Sequence, residues 1–191
     1  MDNLIKHSLD EAYRTMERFV ADPATAKAIG QAAQMIADAL NGGGKVITCG
    51  NGGSLCDATH FAEELTGRFR NNRRPLPAVA INDPAHITCV ANDYGYDDIF
   101  ANYIEAMGVA GDVFIGFSTS GNSENVVRAA ERARAKGLKV VGMTRKGANR
   151  LSELSDALIA VEHEGYSDRI QEMHILAVHI IIEMTEKLLN L

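Results

Sequence analysis

The sequence predicts an α/β fold in which a parallel sheet carries helices on both faces. From residue 45 onward, short apolar runs alternate with longer stretches in which apolar residues recur every three or four positions. Strands that alternate with helices in this way form parallel sheets covered on both faces. Two of the apolar runs lead into loops of small and polar residues. Ligands of such sheets bind at the carboxyl ends of the strands, so these loops predict a binding site there.

Two helices are predicted ahead of the sheet, over residues 1–41. Apolar residues recur at three- and four-residue steps between residues 2 and 20, the spacing of an amphipathic helix. A second helical stretch over residues 24–41 stops at Gly42-Gly43-Gly44, a strong signal for the end of a helix. Together the two stretches predict an N-terminal helical hairpin.

Residues 45–191 are predicted to form the α/β core and a long C-terminal helix. The predicted strands cover residues 45–48, 77–81, 112–117, 139–143 and 157–161. The predicted helices cover residues 54–66, a short stretch through Ile87 and Val90, and residues 96–107, 123–136 and 167 to about 188. No linker or low-complexity segment interrupts these elements, so residues 1–191 are expected to form a single domain.

The last helix indicates burial on several sides. Its apolar residues, among them Ile175, Ile180 and Leu188, occupy most of its circumference, and a helix of that kind is buried nearly all round. In a chain of 191 residues, neighbouring subunits are the expected source of such burial. The apolar stripe of the first helix offers a second surface, so a homo-oligomer with helices at its centre is predicted.

The composition is that of an ordinary globular protein, with 46% hydrophobic and 23% charged residues. The net charge of −6 argues against general nucleic-acid binding, which requires clustered Lys and Arg. The nearest approach to a basic cluster is Arg68, Arg70, Arg73 and Arg74, which are expected to be solvated or structural. No apolar run reaches the roughly 18 residues that span a bilayer, so no membrane partner is expected.

The three cysteines bear on the cellular compartment. Cys49, Cys56 and Cys89 are an odd number and form no Cys-X-X-Cys pair, which predicts reduced thiols rather than a disulfide framework. The N-terminal residues lack the basic-then-apolar pattern of a signal peptide. A cytoplasmic location is therefore expected.

Two loops carry the strongest functional signal. The first, Cys49-Gly50-Asn51-Gly52-Gly53-Ser54, and the second, Ser118-Thr119-Ser120-Gly121-Asn122-Ser123, each lie between a predicted strand and a helix. Such a loop presents backbone N–H groups and a helix N-terminus to an anion. The first lacks the third glycine of a dinucleotide fingerprint, and no Gly-Lys-Ser/Thr motif is present. One loop alone would be an ordinary tight turn, whereas two favour a phosphate-bearing small molecule.

A histidine and a carboxylate follow the first loop on one helical face. His60 and Glu64 are four residues apart, which alone would be typical of a surface pair. Gln171 and His179 lie two turns apart on the last helix, or ~12 Å along its axis, so they share a ligand only if both side chains converge. Histidine nitrogens with glutamate and glutamine oxygens are an acceptable donor set for a divalent ion such as zinc, although spacing alone does not establish a site.

Other polar positions have two interpretations each. Asn92-Asp93 and Asp168 lie at predicted element boundaries, where substrate contact is one hypothesis and helix capping, above all for Asp168, is the other. His174 has no partner in any sequence pattern and is expected to be structural or to line a subunit interface.

Taken together, these segments closely resemble the sedoheptulose 7-phosphate isomerases, or phosphoheptose isomerases, of the sugar isomerase (SIS) domain class. The resemblance runs nearly end to end and is carried by several motifs in order: Cys49–Ser54, His60-Phe61-Ala62-Glu63-Glu64-Leu65-Thr66-Gly67-Arg68, Val90–Asp93, Ser118–Ser123, and Asp168–His174 through His179. A non-catalytic relative of the same fold binds the bacterial replication initiator and lacks the acid and the histidine that stand here as Glu64 and His179. That phosphosugar-binding module is the main alternative. Another SIS enzyme, an amino-sugar-phosphate etherase or a hexulose-phosphate isomerase, is a further one.

The resemblance implies an SIS-type fold and conversion of sedoheptulose 7-phosphate to D-glycero-D-manno-heptose 7-phosphate, the first step toward lipopolysaccharide heptose. The implied substrate-binding residues are Asn51, Gly52, Gly53, Ser54, Glu64, Asn92, Asp93, Ser118, Thr119, Ser120, Ser123, Asp168 and Gln171, with the hydroxyl residues 118–120 and 123 holding the phosphate. The implied ligands of one Zn²⁺ per subunit are His60, Glu64, Gln171 and His179. A homotetramer with sites at subunit interfaces is also implied. Leu55 departs from the polar residue of some relatives.

Isomerisation between a ketose and an aldose requires one group that moves a proton on carbon and another that moves protons on oxygen. Glu64 and His179 are the two titratable candidates, since paired acid and base groups are what this chemistry needs. We expect Glu64 to act on carbon and His179 on oxygen through an enediol, with exchange of roles along the reaction left open.

Overall fold

A five-stranded parallel sheet forms the centre of the computed structural model, which describes residues 1–191. Its strands are β1 (Val46–Gly50), β2 (Ala78–Ala80), β3 (Val113–Phe117), β4 (Lys139–Arg145) and β5 (Ala157–Val161). The strand order is β2-β1-β3-β4-β5, and every neighbouring pair is parallel. The predicted parallel sheet is thereby confirmed.

Eight α-helices surround the sheet. They are α1 (Asp2–Ala21), α2 (Pro23–Asn41), α3 (Gly53–Thr66), α4 (Pro84–Asp93), α5 (Ile99–Met107), α6 (Glu124–Ala135), α7 (Arg150–Leu154) and α8 (Ser167–Leu188), with a 3-10 turn at Tyr96–Asp98. The predicted N-terminal helices and the long C-terminal helix are present. A single residue, Asp22, separates α1 from α2, and its carboxylate caps α2 by accepting from the backbone N–H of Ala24 at 2.9 Å.

Helices cover both faces of the sheet, as predicted. One apolar core joins α2, α3 and α8 to the face that carries Val113 and Ile115, and the other joins α4, α5 and α6 to the face that carries Phe114. Successive side chains of a strand point to opposite faces, so each strand serves both cores. Because α3 follows β1 onto one face and α6 follows the adjacent β3 onto the other, their N-termini flank a crevice at the carboxyl edge of the sheet.

Several elements differ from the sequence prediction, among them α7, the helix predicted over residues 96–107, and β2. The short helix α7 was missed because its five residues are too few for a periodic pattern, and a capping box at Asn149 and Ser152 starts it instead. The single helix predicted over residues 96–107 is a 3-10 turn followed by α5. The edge strand β2 is limited to Ala78–Ala80, since the preceding Pro77 has no N–H to donate to a ladder.

The outer surfaces of α1 and α8 remain partly apolar. Leu9 and Val20 on α1 are 65% and 72% exposed, although both belong to the apolar stripe of that helix. On α8, one side packs into the core, while Ile175 and Ile180 on other positions are only half-buried. Burial within one chain therefore accounts for only part of the apolar pattern of these helices. No helix combines the length and apolarity needed to cross a membrane.

Candidate active site

The loop after β1 brings backbone close to the start of α3. A Cβ added at Gly50 would lie 2.5 Å from the carbonyl oxygen of Ser54, so only glycine fits there. Gly52 has φ 54° and ψ −122°, and α3 begins at the next residue. The N-terminus of α3 has no side-chain cap, and Ser54, in its first turn, is buried. A helix N-terminus without a side-chain cap is suited to an anion.

The loop after β3 gathers hydroxyl groups at the N-terminus of α6. The Ser118 hydroxyl is hydrogen-bonded to Ser123 Oγ at 3.0 Å and lies 3.5 Å from Ser120 Oγ. Ser123 precedes α6 without capping it through its own side chain, so its hydroxyl stays with this cluster. The Thr119 carbonyl accepts from the Arg145 backbone N–H at 3.2 Å, which ties the loop to the end of β4. Three hydroxyls therefore converge where the sequence predicts a phosphate site.

The fold of this second loop depends on Gly121, which has φ 69°. A Cβ there would overlap the side-chain amide of Asn149, the residue that caps α7. The glycine is needed for its backbone conformation and for the close approach of α7.

A reciprocal amide pair joins the two loops. Asn51 and Asn125 each donate to the side-chain oxygen of the other at 2.9 Å, and the Tyr96 hydroxyl donates to Asn51 Oδ1, also at 2.9 Å. Asn51 was predicted from its loop, whereas Asn125 and Tyr96 were missed. Asn125 is buried in the first turn of α6 beside Val126, and a polar residue on the apolar face of a helix is the signal that could have pointed to it. The pair ties together the two loops that are predicted to bind an anion.

Three of the predicted metal ligands meet between α3 and α8. Glu64 Oε1 lies 3.1 Å from His60 Nε2 and 3.9 Å from His179 Nε2, and the two Nε2 atoms are 3.5 Å apart. Ligands held about 2.0–2.1 Å from a tetrahedral ion are themselves separated by roughly 3.3 Å, so this spacing fits one metal ion. The three groups also form the only such cluster of His, Cys, Asp and Glu in the chain.

Gln171, the fourth predicted ligand, lies at the other end of the same pair of helices. A Cβ added at Gly53 would be 2.8 Å from the Gln171 amide oxygen and nitrogen, so this amide packs on the start of α3. His60 follows Gly53 by two helical turns, about 10 Å. The structure thus aligns Gly53 with Gln171 at the loop end and His60 with His179 farther along. The Gln171 amide thus lies on the same pair of helices as the three-residue cluster, and its role as a ligand stays a prediction.

Two carboxylate oxygens near the cluster have no hydrogen-bond partner. They are Glu64 Oε2 and Asp57 Oδ2, both enclosed by protein. Burial raises the pKa of Asp57 to about 6, and the nearby His60 opposes this shift. Buried polar atoms are nearly always satisfied, so unpartnered ones mark places where a ligand or water belongs. Asp57, one turn before His60, was missed because a lone Asp on a helix has no distinctive sequence pattern.

The remaining predicted polar positions are more peripheral. Asp168 does not cap α8, which begins after Tyr166; its carboxylate accepts from Arg169 at 3.0 Å, and that bond lowers its pKa. Asn92 donates to Asp93 at 2.7 Å at the exposed end of α4. Both positions are open to solvent, and their substrate contacts stay predictions.

His174 is structural, one of its two expected roles. It is fully buried, with Nε2 3.4 Å from the Thr144 carbonyl and the ring edge-on to Phe117. Burial lowers its pKa to about 4, partly offset by the hydrogen bond to Thr144. A neutral imidazole is what such a site stabilises.

Comparison with known proteins connects this geometry to one family. Residues 8–145 match the model of the SIS domain. The chain is 55% identical over 185 residues to the phosphoheptose isomerase of Edwardsiella ictaluri, covering 97% of this chain and 96% of that protein. It is 54% identical to the phosphoheptose isomerase of Escherichia coli, with the same coverage.

Solved structures agree with the sequence relatives. The phosphoheptose isomerase of Francisella tularensis superposes with a TM-score of 0.90 at 34% identity, covering 97% of each chain. That of Neisseria gonorrhoeae gives a TM-score of 0.88 at 34% identity, covering 100% of this chain and 99% of the other.

Proposed function

This chain belongs to the phosphoheptose isomerase family of SIS-domain proteins, and from that premise we propose that it interconverts sedoheptulose 7-phosphate and D-glycero-D-manno-heptose 7-phosphate. Membership makes it an enzyme, an isomerase. The observation that carries the proposal is that Glu64 and His179 face one another beside His60, and that α3, which holds His60 and Glu64, begins at the first of the two loops predicted to bind an anion. The step would supply heptose for lipopolysaccharide precursors. We also propose that residues 1–191 form one SIS domain.

The distance between the two parts of the site supports a long substrate. The amides of the first loop and His60 are separated by two turns of α3, about 10 Å. This is comparable to the length of an extended seven-carbon sugar phosphate. The first loop is joined to α6 by the Asn51–Asn125 pair, so a phosphate at the hydroxyls of Ser118, Ser120 and Ser123 would direct the carbonyl end of the sugar toward Glu64 and His179.

The chemistry assigned to this pair is proton transfer through an enediol. Glu64 takes the proton from C1 of the ketose while His179 gives a proton to the oxygen on C2. His179 then accepts the proton of the C1 hydroxyl, and Glu64 returns the carbon-bound proton to C2, which yields the aldose. The two carboxylate oxygens of Glu64 have different roles. Oε1 faces both imidazoles, and Oε2, which has no hydrogen-bond partner, is the proton acceptor.

The donor set of His60, Glu64 and His179 fits Zn²⁺, and we assign one ion per subunit to it, with Gln171 as the predicted fourth ligand. A bound zinc ion would polarise the substrate carbonyl as a Lewis acid, the part that His179 plays by proton donation when its Nε2 is not a ligand. Metal analysis of the purified protein tests this assignment. Stoichiometric zinc that is lost in His60→Ala supports it, and a protein that stays metal-free in excess zinc refutes it.

We further propose a cytoplasmic homotetramer with sites at subunit interfaces. The exposed apolar stripe of α1 and the half-buried positions of α8 support association of several copies. Three free cysteines are compatible with a reducing compartment.

Turnover with sugars of graded length tests the proposed function. Sedoheptulose 7-phosphate should give a much higher kcat/KM than fructose 6-phosphate or ribulose 5-phosphate. Preference for a shorter sugar would identify a different SIS isomerase. Tight binding of sedoheptulose 7-phosphate without turnover would identify a non-catalytic phosphosugar-binding module.

A further inference from the structure

The segment between α3 and β2, residues 67–77, lies along α8 beside the metal-binding cluster. We call it the α3–β2 strap. It contacts three residues of α8 that are spaced by four and then three positions, and therefore lie on one face of that helix. The three contacts are Phe69 stacked on His179, with ring centroids 5.9 Å apart and planes at 21°; Arg70 paired with Glu183 at 2.8 Å; and Arg73 paired with Glu186 at 2.7 Å.

Arg73 anchors this strap to both helices of the cluster. Its side chain is only 2% exposed. It donates to the carbonyls of Glu64 at 2.6 Å and Leu65 at 2.9 Å, in the last turn of α3, while its Nε bonds to Glu186 on α8. Carbonyls in the last turn of a helix have no partner within the helix. One guanidinium therefore ends α3 and fixes its position against α8.

Phe69 holds the imidazole that the other helix contributes. Its half-buried ring lies between the His179 ring on one side and the Arg70 guanidinium, 5.0 Å from the Phe69 centroid, on the other. His179 also meets the His60 ring edge-on, with centroids 5.2 Å apart. The His179 side chain is 37% exposed, so Phe69 restricts a ring that would otherwise be free to turn away from Glu64.

We propose that Phe69 and Arg73 are positioning residues that assemble the His60–Glu64–His179 cluster. Arg73 sets the separation of α3 and α8, and Phe69 sets the orientation of the His179 ring. The sequence hypothesis for the arginines of this strap was solvation or a structural role. Arg70 and Arg73 pair with Glu183 and Glu186 on α8, which gives these two arginines a specific structural role. The proposal rests on the metal-binding and catalytic roles proposed for the cluster.

Zinc affinity, measured by competition with a chromophoric chelator, tests the proposal together with kcat and KM. Phe69→Leu keeps an apolar side chain but removes the stacked ring, and should weaken zinc binding about 3- to 10-fold. Its kcat should fall while KM stays within about twofold, because the phosphate loops are untouched. Phe69→Tyr should restore both values. Arg73→Lys, which loses the guanidinium fork, should weaken zinc binding about 10-fold or more.

Lys45→Met is the matched control. It breaks the ion pair of Lys45 with the fully buried Asp112, at 2.6 Å, at the opposite edge of the sheet. It should lower the melting temperature without changing zinc affinity or kcat. Wild-type zinc affinity and kcat in Phe69→Leu would overturn the proposal, as would an equal loss of affinity in Lys45→Met. If Arg73→Lys fails to fold, the zinc affinities of Phe69→Leu and Glu186→Gln decide the question, and both should be weaker than that of the wild type. Failure of the proposed function can be told apart from failure of the positioning roles, because the wild-type protein itself would then neither bind zinc nor isomerise the sugar.

Discussion

Asn51 and Asn125 exchange two side-chain hydrogen bonds of 2.9 Å and so join the loop after β1 to the first turn of α6. Each loop alone is an ordinary strand-to-helix turn. Held side by side, they place two helix N-termini and a group of hydroxyls at the predicted anion site. The amide pair therefore helps to build that predicted site.

Replacement of Asn125 by Ala should weaken substrate binding more than it affects the chemistry. The change leaves the Asn51 amide without its partner and costs about 1–3 kcal/mol of unfolding free energy. KM for sedoheptulose 7-phosphate should rise about tenfold with little change in kcat. Asn82→Ala is the control, since that exposed amide donates only to Thr59. An unchanged KM in Asn125→Ala would show that the loops keep their register without the pair.

Glu64→Gln should remove most of the turnover. Proton-transfer catalysis is worth about 10²–10⁴-fold, and glutamine cannot accept the proton from carbon. Sugar phosphate should still bind, because the hydroxyl cluster is intact; calorimetry would measure this. Glu153→Gln is the matched control, since Glu153 is exposed on α7, outside both helices of the cluster. Near-normal isomerisation by Glu64→Gln would disprove its role as the base.

Gly121→Ala should disrupt the second loop. The positive φ costs about 1–3 kcal/mol in a non-glycine residue, and the added methyl group also overlaps Asn149. Gly43→Ala separates the two effects, because Gly43 has a similar φ of 82° but open space around it. In urea unfolding, Gly121→Ala should be the less stable of the two variants. Equal stability would mean that the contact with Asn149 relaxes at no cost.

His174 should make the fold sensitive to acid. Its pKa is lowered from 6.5 to about 4 in the folded state, so the unfolded chain binds more protons between these values. Stability therefore falls as pH drops from 6.5 to 4, by about 1.4 kcal/mol per pH unit at most. Unfolding free energies of the wild type and His174→Gln across this range provide the test. The slope of unfolding free energy against pH should be smaller in the variant, by the equivalent of up to one proton. Identical slopes would contradict the lowered pKa of His174.

The apolar stripe on α1 should be an interface between copies of the chain. Leu9→Glu with Val20→Glu places two charges on this stripe and should reduce the sedimenting mass at micromolar concentration. Val109→Glu changes an exposed apolar residue in the loop before β3 and should leave the mass unchanged. A monomeric wild-type protein would refute the predicted oligomer.

The order of strands and helices and the two glycine-containing loops could be read from the sequence, because the signals are local. Apolar spacing sets helix and strand, and Gly50, Gly52, Gly53 and Gly121 mark tight turns. The short helix α7 was missed because its start depends on a capping pair rather than on a periodic apolar pattern.

The composition of the site was decided by tertiary structure. His60 and His179 are 119 residues apart, and only the packing of α3 along α8 brings their nitrogens within 3.5 Å. That same packing carries the Gln171 amide to Gly53, although the spacing of Gln171 and His179 along α8 left a shared ligand open. Asn125, Phe69 and Arg73 acquire their partners from other elements. Periodicity shows which face of a helix is buried, but not which side chain of another helix it meets.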